Sequence, residues 1–162
     1  MFFHAVSRVL VLALLASTQF RILEVAFKSN QDAPQQNGSV LRGNAACVLE
    51  MRTDTEGVDF NSYLRDVYLS VKKRWLANMP SSLEKGQQGK NTVEFRVLQD
   101  GSVPKDSVKI VLSSEKSDFD AASLQGVREA APFSHLPESF SKPYIVVRFT
   151  FYYNLPIPRN PH

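Results

Sequence analysis

The chain has 162 residues, a formal net charge of +3 and a single cysteine. That length sets an expectation of one domain. So small an excess of cations excludes the dense basic stripe that nucleic-acid binding requires, and one cysteine excludes an intrachain disulfide.

Met1 to Arg8 holds a cation, Val9 to Ala16 is an unbroken apolar run, and the small residues Ser17 and Thr18 follow it. That is the order of a secretory signal. A membrane-spanning helix needs about 20 mostly apolar residues, and Arg8, Arg21 and Glu24 crowd this run. Residues 1–27 are therefore expected to be a signal peptide or an N-terminal membrane anchor, and the product to be exported.

Polar pieces such as Asn30-Gln31-Asp32 and Gln35-Gln36-Asn37-Gly38 dominate the next stretch, with scattered apolar residues and no sustained period. Such a segment cannot offset its ordering entropy by burial. Residues 28–57 are expected to be a flexible polar linker, and Cys47 an incidental thiol within it.

The first strong periodic signal is Phe60, Tyr63, Leu64, Val67, Tyr68, Val71, Trp75, Leu76 and Met79. Their spacing of three and four puts one apolar stripe along a helix, with Asp59 as its N-cap and Pro80 as its stop. Val93, Phe95 and Val97 then alternate with polar residues, Asp100-Gly101 follows, and Val108, Ile110 and Leu112 flank Lys109. Period-two runs on either side of Asp-Gly predict a β-hairpin, and Pro104 predicts an irregular start to its second strand. Ser117 with Asp120 has the spacing of a capping box and opens a second helix that carries Phe119, Ala122 and Val127 inward and ends before Pro132.

The last strand is the clearest, with Ile145, Val147, Phe149, Phe151 and Tyr153 on one face and Val146, Arg148, Thr150 and Tyr152 on the other. The opposite faces of all three strands carry polar residues, so the sheet should be wet on one side and covered by both helices on the other. The expected fold is α+β, a two-layer sandwich in the order α-β-β-α-β over residues 58–154, with 155–162 as a Pro-containing tail. A right-handed crossover through the second helix makes strands two and three parallel. The three-stranded antiparallel/mixed sheet then has the order 2-1-3 and leaves strand three as an edge.

The residues of these elements form a pattern: Val93-x-Phe95-x-Val97, Asp100-Gly101-Ser102-Val103, Ser113-Ser114, Phe119-Asp120-Ala121-Ala122, Pro132-Phe133, Leu136-Pro137 and Phe149-Thr150-Phe151. The pattern resembles the C-terminal domain of the TonB energy-transducer family, and Thr55 to Phe60 with Trp75 extends the match through the first helix. The resemblance implies a periplasmic domain that meets short segments of outer-membrane receptors. In that family an N-terminal membrane helix engages an inner-membrane, proton-driven complex of the ExbB/ExbD kind. The family's helix carries a serine and a histidine four residues apart in that order, whereas here His4 precedes Ser7.

The resemblance also makes the last strand the recruiting edge, in agreement with the topology above, because an exposed edge presents unpaired N–H and C=O groups to an extended peptide. Tyr144, Val146, Arg148, Thr150 and Tyr152 are the partner-binding candidates, and self-pairing into a homodimer is the competing use of the same edge. A TolA-like scaffolding role is the alternative within the envelope, and a small periplasmic hydrolase is a distant third. No catalytic, cofactor or metal residues are assigned. His4 and His162 lie near the ends of the chain and His135 in a Pro132–Pro137 loop, with no ligand or nucleophile spacing to join them.

Overall fold

The computed structural model describes residues 24–25 and 43–158. Strands β1 (Glu24–Val25) and β2 (Ala45–Met51) precede helix α1 (Asn61–Ala77) and a short helix α2 (Ser81–Glu84). Strands β3 (Gly89–Leu98) and β4 (Lys109–Leu112), helix α3 (Ser117–Ala130) and strand β5 (Tyr144–Tyr153) complete the order. All five strands lie in one sheet, ordered β1-β2-β5-β3-β4, and every neighbouring pair is antiparallel.

The apolar periods behave as physical chemistry requires. On α1, Tyr63, Leu64, Val67, Tyr68, Val71 and Trp75 are buried, while Leu76 faces outward at 45% exposure. Phe60, not Asp59, stands at the N-cap position, and no side chain caps the helix; the Asp59 carboxylate instead accepts the Asn61 N–H at 2.8 Å in the turn that leads into it. Val93, Phe95 and Val97 of β3 and Ile145, Val147, Phe149, Phe151 and Tyr153 of β5 form the sheet side of the core. The helices close over them at one narrow crossing: a Cβ added to Gly126 of α3 would lie 2.8 Å from the Trp75 Cα of α1, so the absence of a side chain sets how near the two axes come.

Trp75 is the centre of this layer. Its ring lies 4.9 Å from that of Phe151 and 5.4 Å from that of Tyr153, and its indole Nε1–H donates to the Tyr153 hydroxyl at 2.8 Å. That hydroxyl in turn donates to the Phe119 carbonyl at 2.9 Å, so one chain of hydrogen bonds ties α1, β5 and α3 together. Tyr153 also stacks on Phe119 at 4.1 Å between centroids. Buried aromatic residues with a polar tip need such partners, and burial raises the Tyr153 hydroxyl well above the ordinary phenol range.

Four further expectations are corrected. The sheet has five strands rather than three, because Ala45–Met51, assigned to the flexible linker, is a strand paired with β5. Its apolar residues fall on both faces: Cys47, Leu49 and Met51 join the helix-covered core, while Val48 is buried on the opposite side. With apolar residues on both faces no period of two stands out. Cys47 is accordingly a core residue 4% exposed, and burial pushes its thiol up to about 11 against a hydrogen bond with Tyr68, which keeps it protonated at neutral pH.

The third correction follows from the first: β5 lies inside the sheet, between β2 and β3, not at its edge. The fourth concerns α3. Lys116 stands at its N-cap position and no side chain caps it. Asp120 reaches back beyond the helix start instead, accepting from Ser113 Oγ at 2.6 Å, Ser114 N at 2.9 Å and Ser114 Oγ at 2.7 Å. Burial raises the Asp120 pKa, but these bonds and one from Asn91 outweigh it and hold the carboxyl below its ordinary range.

The hairpin departs from its simplest form at its second strand. Pro104 leads into a single 3-10 turn, Lys105–Ser107, and the register shifts between Thr92 and Val93, so that Ile110 lies opposite Val93 but Leu112 opposite Thr92. A bulge of this kind turns following side chains away from their expected face. Leu112 is 46% exposed in consequence. Gly101 closes the hairpin with φ +80°, where a Cβ would collide with the carbonyl oxygen of Phe133.

Candidate functional site

The partner-binding candidates from the sequence sit together on the uncovered face of β5. Tyr144 is 36% exposed, Val146, Arg148 and Thr150 are half-buried, and Tyr152 is buried. Arg148 is held by Glu94, whose Oε2 accepts from Nη2 at 2.7 Å and Nε at 3.0 Å. Thr150 Oγ1 lies 3.2 Å from that of Thr92. Arg96 lies over the Tyr144 ring at 5.4 Å and Lys90 over the Tyr152 ring at 5.9 Å. These side chains are thus partnered within the sheet.

The backbone of β5 is also occupied. On one side β3 pairs with it from Gly89↔Tyr153 to Leu98↔Tyr144. On the other, β2 pairs from Ala45↔Tyr153 to Met51↔Val147. Pairing continues past both ends of β2: Arg52 N–H donates to the Val146 carbonyl at 2.8 Å, and Val146 N–H donates to Thr53 Oγ1 at 2.7 Å. At the far end Asn154 N–H donates to the Asn44 carbonyl at 2.6 Å, and Asn44 N–H donates to Asn154 Oδ1 at 2.7 Å.

Release of β2 would expose Cys47, Val48, Leu49 and Met51, all buried. At about 1.5–3 kcal/mol for each larger apolar side chain, the cost is comparable with the roughly 5–15 kcal/mol that stabilises a whole domain. β2 is therefore part of the folded sheet, and among the described residues the sheet runs two strands, β2 and β1, farther out than the sequence indicates.

Among the described residues the sheet ends at β4 on one side and, beyond β2, at the two-residue β1 on the other. β4 has four residues and begins after the 3-10 turn. β2 has seven and is straight in its pairing, and among the described residues its outer side pairs with the two residues of β1, with Glu24↔Glu50 and Val25↔Leu49. Sequence reasoning missed β2. Its one signal was Ala45 to Met51, AACVLEM, the most apolar stretch between the polar tract and α1.

Other chemistry is thin. A groove of about 130 Å³ lies between α1 and the loop after α3, lined by Tyr63, Asp66, Ser70, Phe133 and Ser134 among others. The Tyr63 hydroxyl donates across it to the Ser134 carbonyl at 3.1 Å, and burial raises its pKa to about 12. Its neighbour His135 is exposed. Among the described residues no three His, Cys, Asp or Glu side chains gather as metal ligands, and no helix is long and apolar enough to cross a membrane. His4, His162 and nearly all of the expected export segment, residues 1–27, lie outside the described residues.

Residues 80–155 match the family model described as Gram-negative bacterial TonB protein C-terminal. The matched stretch takes in α2, β3, β4, α3 and β5, whereas β2 and α1 precede it. No curated protein matches the chain. Among solved structures, the NMR solution structure of the Helicobacter pylori TonB C-terminal domain is similar, at 24% identity and a TM-score of 0.47, covering 63% of this chain and 88% of that one.

Proposed function

From the match of residues 80–155 to the TonB C-terminal family model, we propose that the chain is a TonB-like binding module of the bacterial periplasm. It takes extended segments of outer-membrane transporters by strand addition and so supports energy-dependent transport, with no catalytic step of its own. The observation that carries this reading is an antiparallel sheet that, among the described residues, ends in short strands, two residues in β1 and four in β4. Edge strands offer a row of backbone donors and acceptors to any extended chain, and alternate side chains select which chain fits.

The reading has an N-terminal side. The secretory-type order of residues 1–27 supports export, and an uncleaved anchor there would bring the domain to an inner-membrane, proton-driven complex of the ExbB/ExbD kind. Fractionation with intact-mass measurement of the native protein tests this. The expected product is either trimmed near Ala16 to Thr18 or held in the inner membrane, and full-length protein soluble in the cytoplasm would overturn the localisation and the partner class together.

Strand addition is tested by titrating isotope-labelled protein with a peptide from the periplasm-facing segment of a transporter of the same organism. Chemical-shift changes should follow a sheet edge, and N-methylation of alternate peptide bonds should abolish them. Shifts gathered instead around Tyr63, Asp66 and Ser134 would assign recognition to the groove beside α1.

A further inference from the structure

We propose that the strand-accepting edge of this protein is the outer side of β2, and that its partner is an extended segment with a basic side chain opposite Glu50. The proposal rests on the strand-addition reading and names both the edge and the chemistry of the occupant.

The argument starts from one row across the uncovered face. The registers place Lys109 opposite Glu94, Glu94 opposite Arg148, and Arg148 opposite Glu50. Read outward from β4, the row alternates cation, anion, cation, anion. Opposite charges on facing positions stabilise an antiparallel pair and like charges destabilise it, so the next strand should place a cation beside Glu50. The chain's own β1 does the reverse, since its register sets Glu24 opposite Glu50.

Glu50 is not otherwise consumed. Among the described residues its ion pair is with Arg52 at 3.6 Å, between side chains 27% and 40% exposed, which is long for a hydrogen bond and weak at that exposure. β1 therefore shows that an extended segment can lie along β2, and among the described residues its register pairs just Leu49 and Glu50 and sets an acidic residue opposite Glu50. A better occupant is antiparallel and longer. It places apolar side chains opposite Cys47, Leu49 and Met51, on the helix-covered side, and lysine or arginine opposite Glu50.

Outer strand β4 is the poorer edge, because its four residues follow a 3-10 turn and its register breaks at Thr92/Val93. β5 is excluded as an edge over Val147 to Tyr153 by its pairing with β2.

The test uses the full-length protein and two blocked, fluorescein-labelled heptapeptides that alternate valine with threonine and differ only at the second residue, lysine in one and glutamate in the other. In antiparallel register with β2, that residue lies opposite Glu50. The lysine peptide should bind about tenfold more tightly by anisotropy, Glu50→Lys should reverse the preference, and Glu24→Lys should weaken binding of the lysine peptide by improving the internal competitor. Cys47, the only cysteine, reports on β2 itself: a saturating peptide should leave its reaction with a thiol reagent unchanged or slower.

Faster labelling of Cys47 on peptide binding would mean that β2 is displaced and the peptide adds to β5, which overturns the proposal while leaving strand addition intact. Equal binding of the two peptides, or a preference that Glu50→Lys does not move, overturns it as well. A dimer in sedimentation that Glu50→Lys disrupts would give the edge to a second copy. Failure of both peptides to bind would sink the strand-addition reading and this inference with it.

Discussion

The strands that flank the central β5–β3 pair are held differently at the two ends. At one end β2 is held by apolar burial, with Cys47, Val48, Leu49 and Met51 all buried and the adjoining polar ends closed by Asn44, Arg52 and Thr53. At the other, β4 exposes Val111 and Leu112 and is tied down just beyond its end, where Ser113 and Ser114 donate to Asp120. One end is secured by a water-averse surface and the other by a charge-assisted network. The first should resist changes of pH and the second should not.

Removal of residues 1–57 makes the sharpest break in this comparison, because it strips β2 from the core edges of Phe149, Phe151 and Tyr153. Cooperative thermal unfolding by circular dichroism should be lost, whereas removal of residues 1–42, which spares β2, should preserve it. Equal melting of the two truncations would return β2 to the status of a linker. At the level of one side chain, Leu49→Ala should cost about 2–5 kcal/mol in urea unfolding, as for other fully buried leucines.

The β4 end is probed by acid. Asp120 is depressed in the folded state, so its contribution is fully present above the unfolded carboxylate value of about 4 and is lost as pH falls through its lower folded value. Hydrogen exchange should show the amides near Ser113 and Ser114 losing protection in that acid window before those of β2, and Asp120→Asn should remove the pH dependence. Simultaneous loss at both ends would mean the sheet opens as one unit. The smallest effect belongs to Leu112→Ala: at 46% exposure, it should change stability by no more than about 0.5 kcal/mol, measured in the same urea series as Leu49→Ala.

The legible parts of the fold were those in which side chains report their surroundings. The α1 stripe, the β3–β4 hairpin about Asp100-Gly101 and the alternation of β5 each have a dominant face, and large residues such as Trp75, Phe149 and Tyr153 mark it. The Asp120 network was misread as a helix cap because an acidic residue three positions after a serine satisfies that spacing whether or not it turns toward Ser114. Of the candidate site, the uncovered face of β5 could be read, since polar residues alternate there, but its standing as an edge could not.

By itself, then, the sequence determined which face of each principal element meets the core, because hydrophobic burial acts through side-chain type and spacing. Only the tertiary structure decided which strand is flanked and which stands outermost. Strand pairing is made by backbone N–H and C=O groups that are nearly the same in every residue, so the choice of Ala45–Met51 as the neighbour of Tyr144–Tyr153, about a hundred positions along the chain, leaves almost no mark in residue type. It follows from where α1 and α3 leave room beside β5, and that is a property of the assembled core.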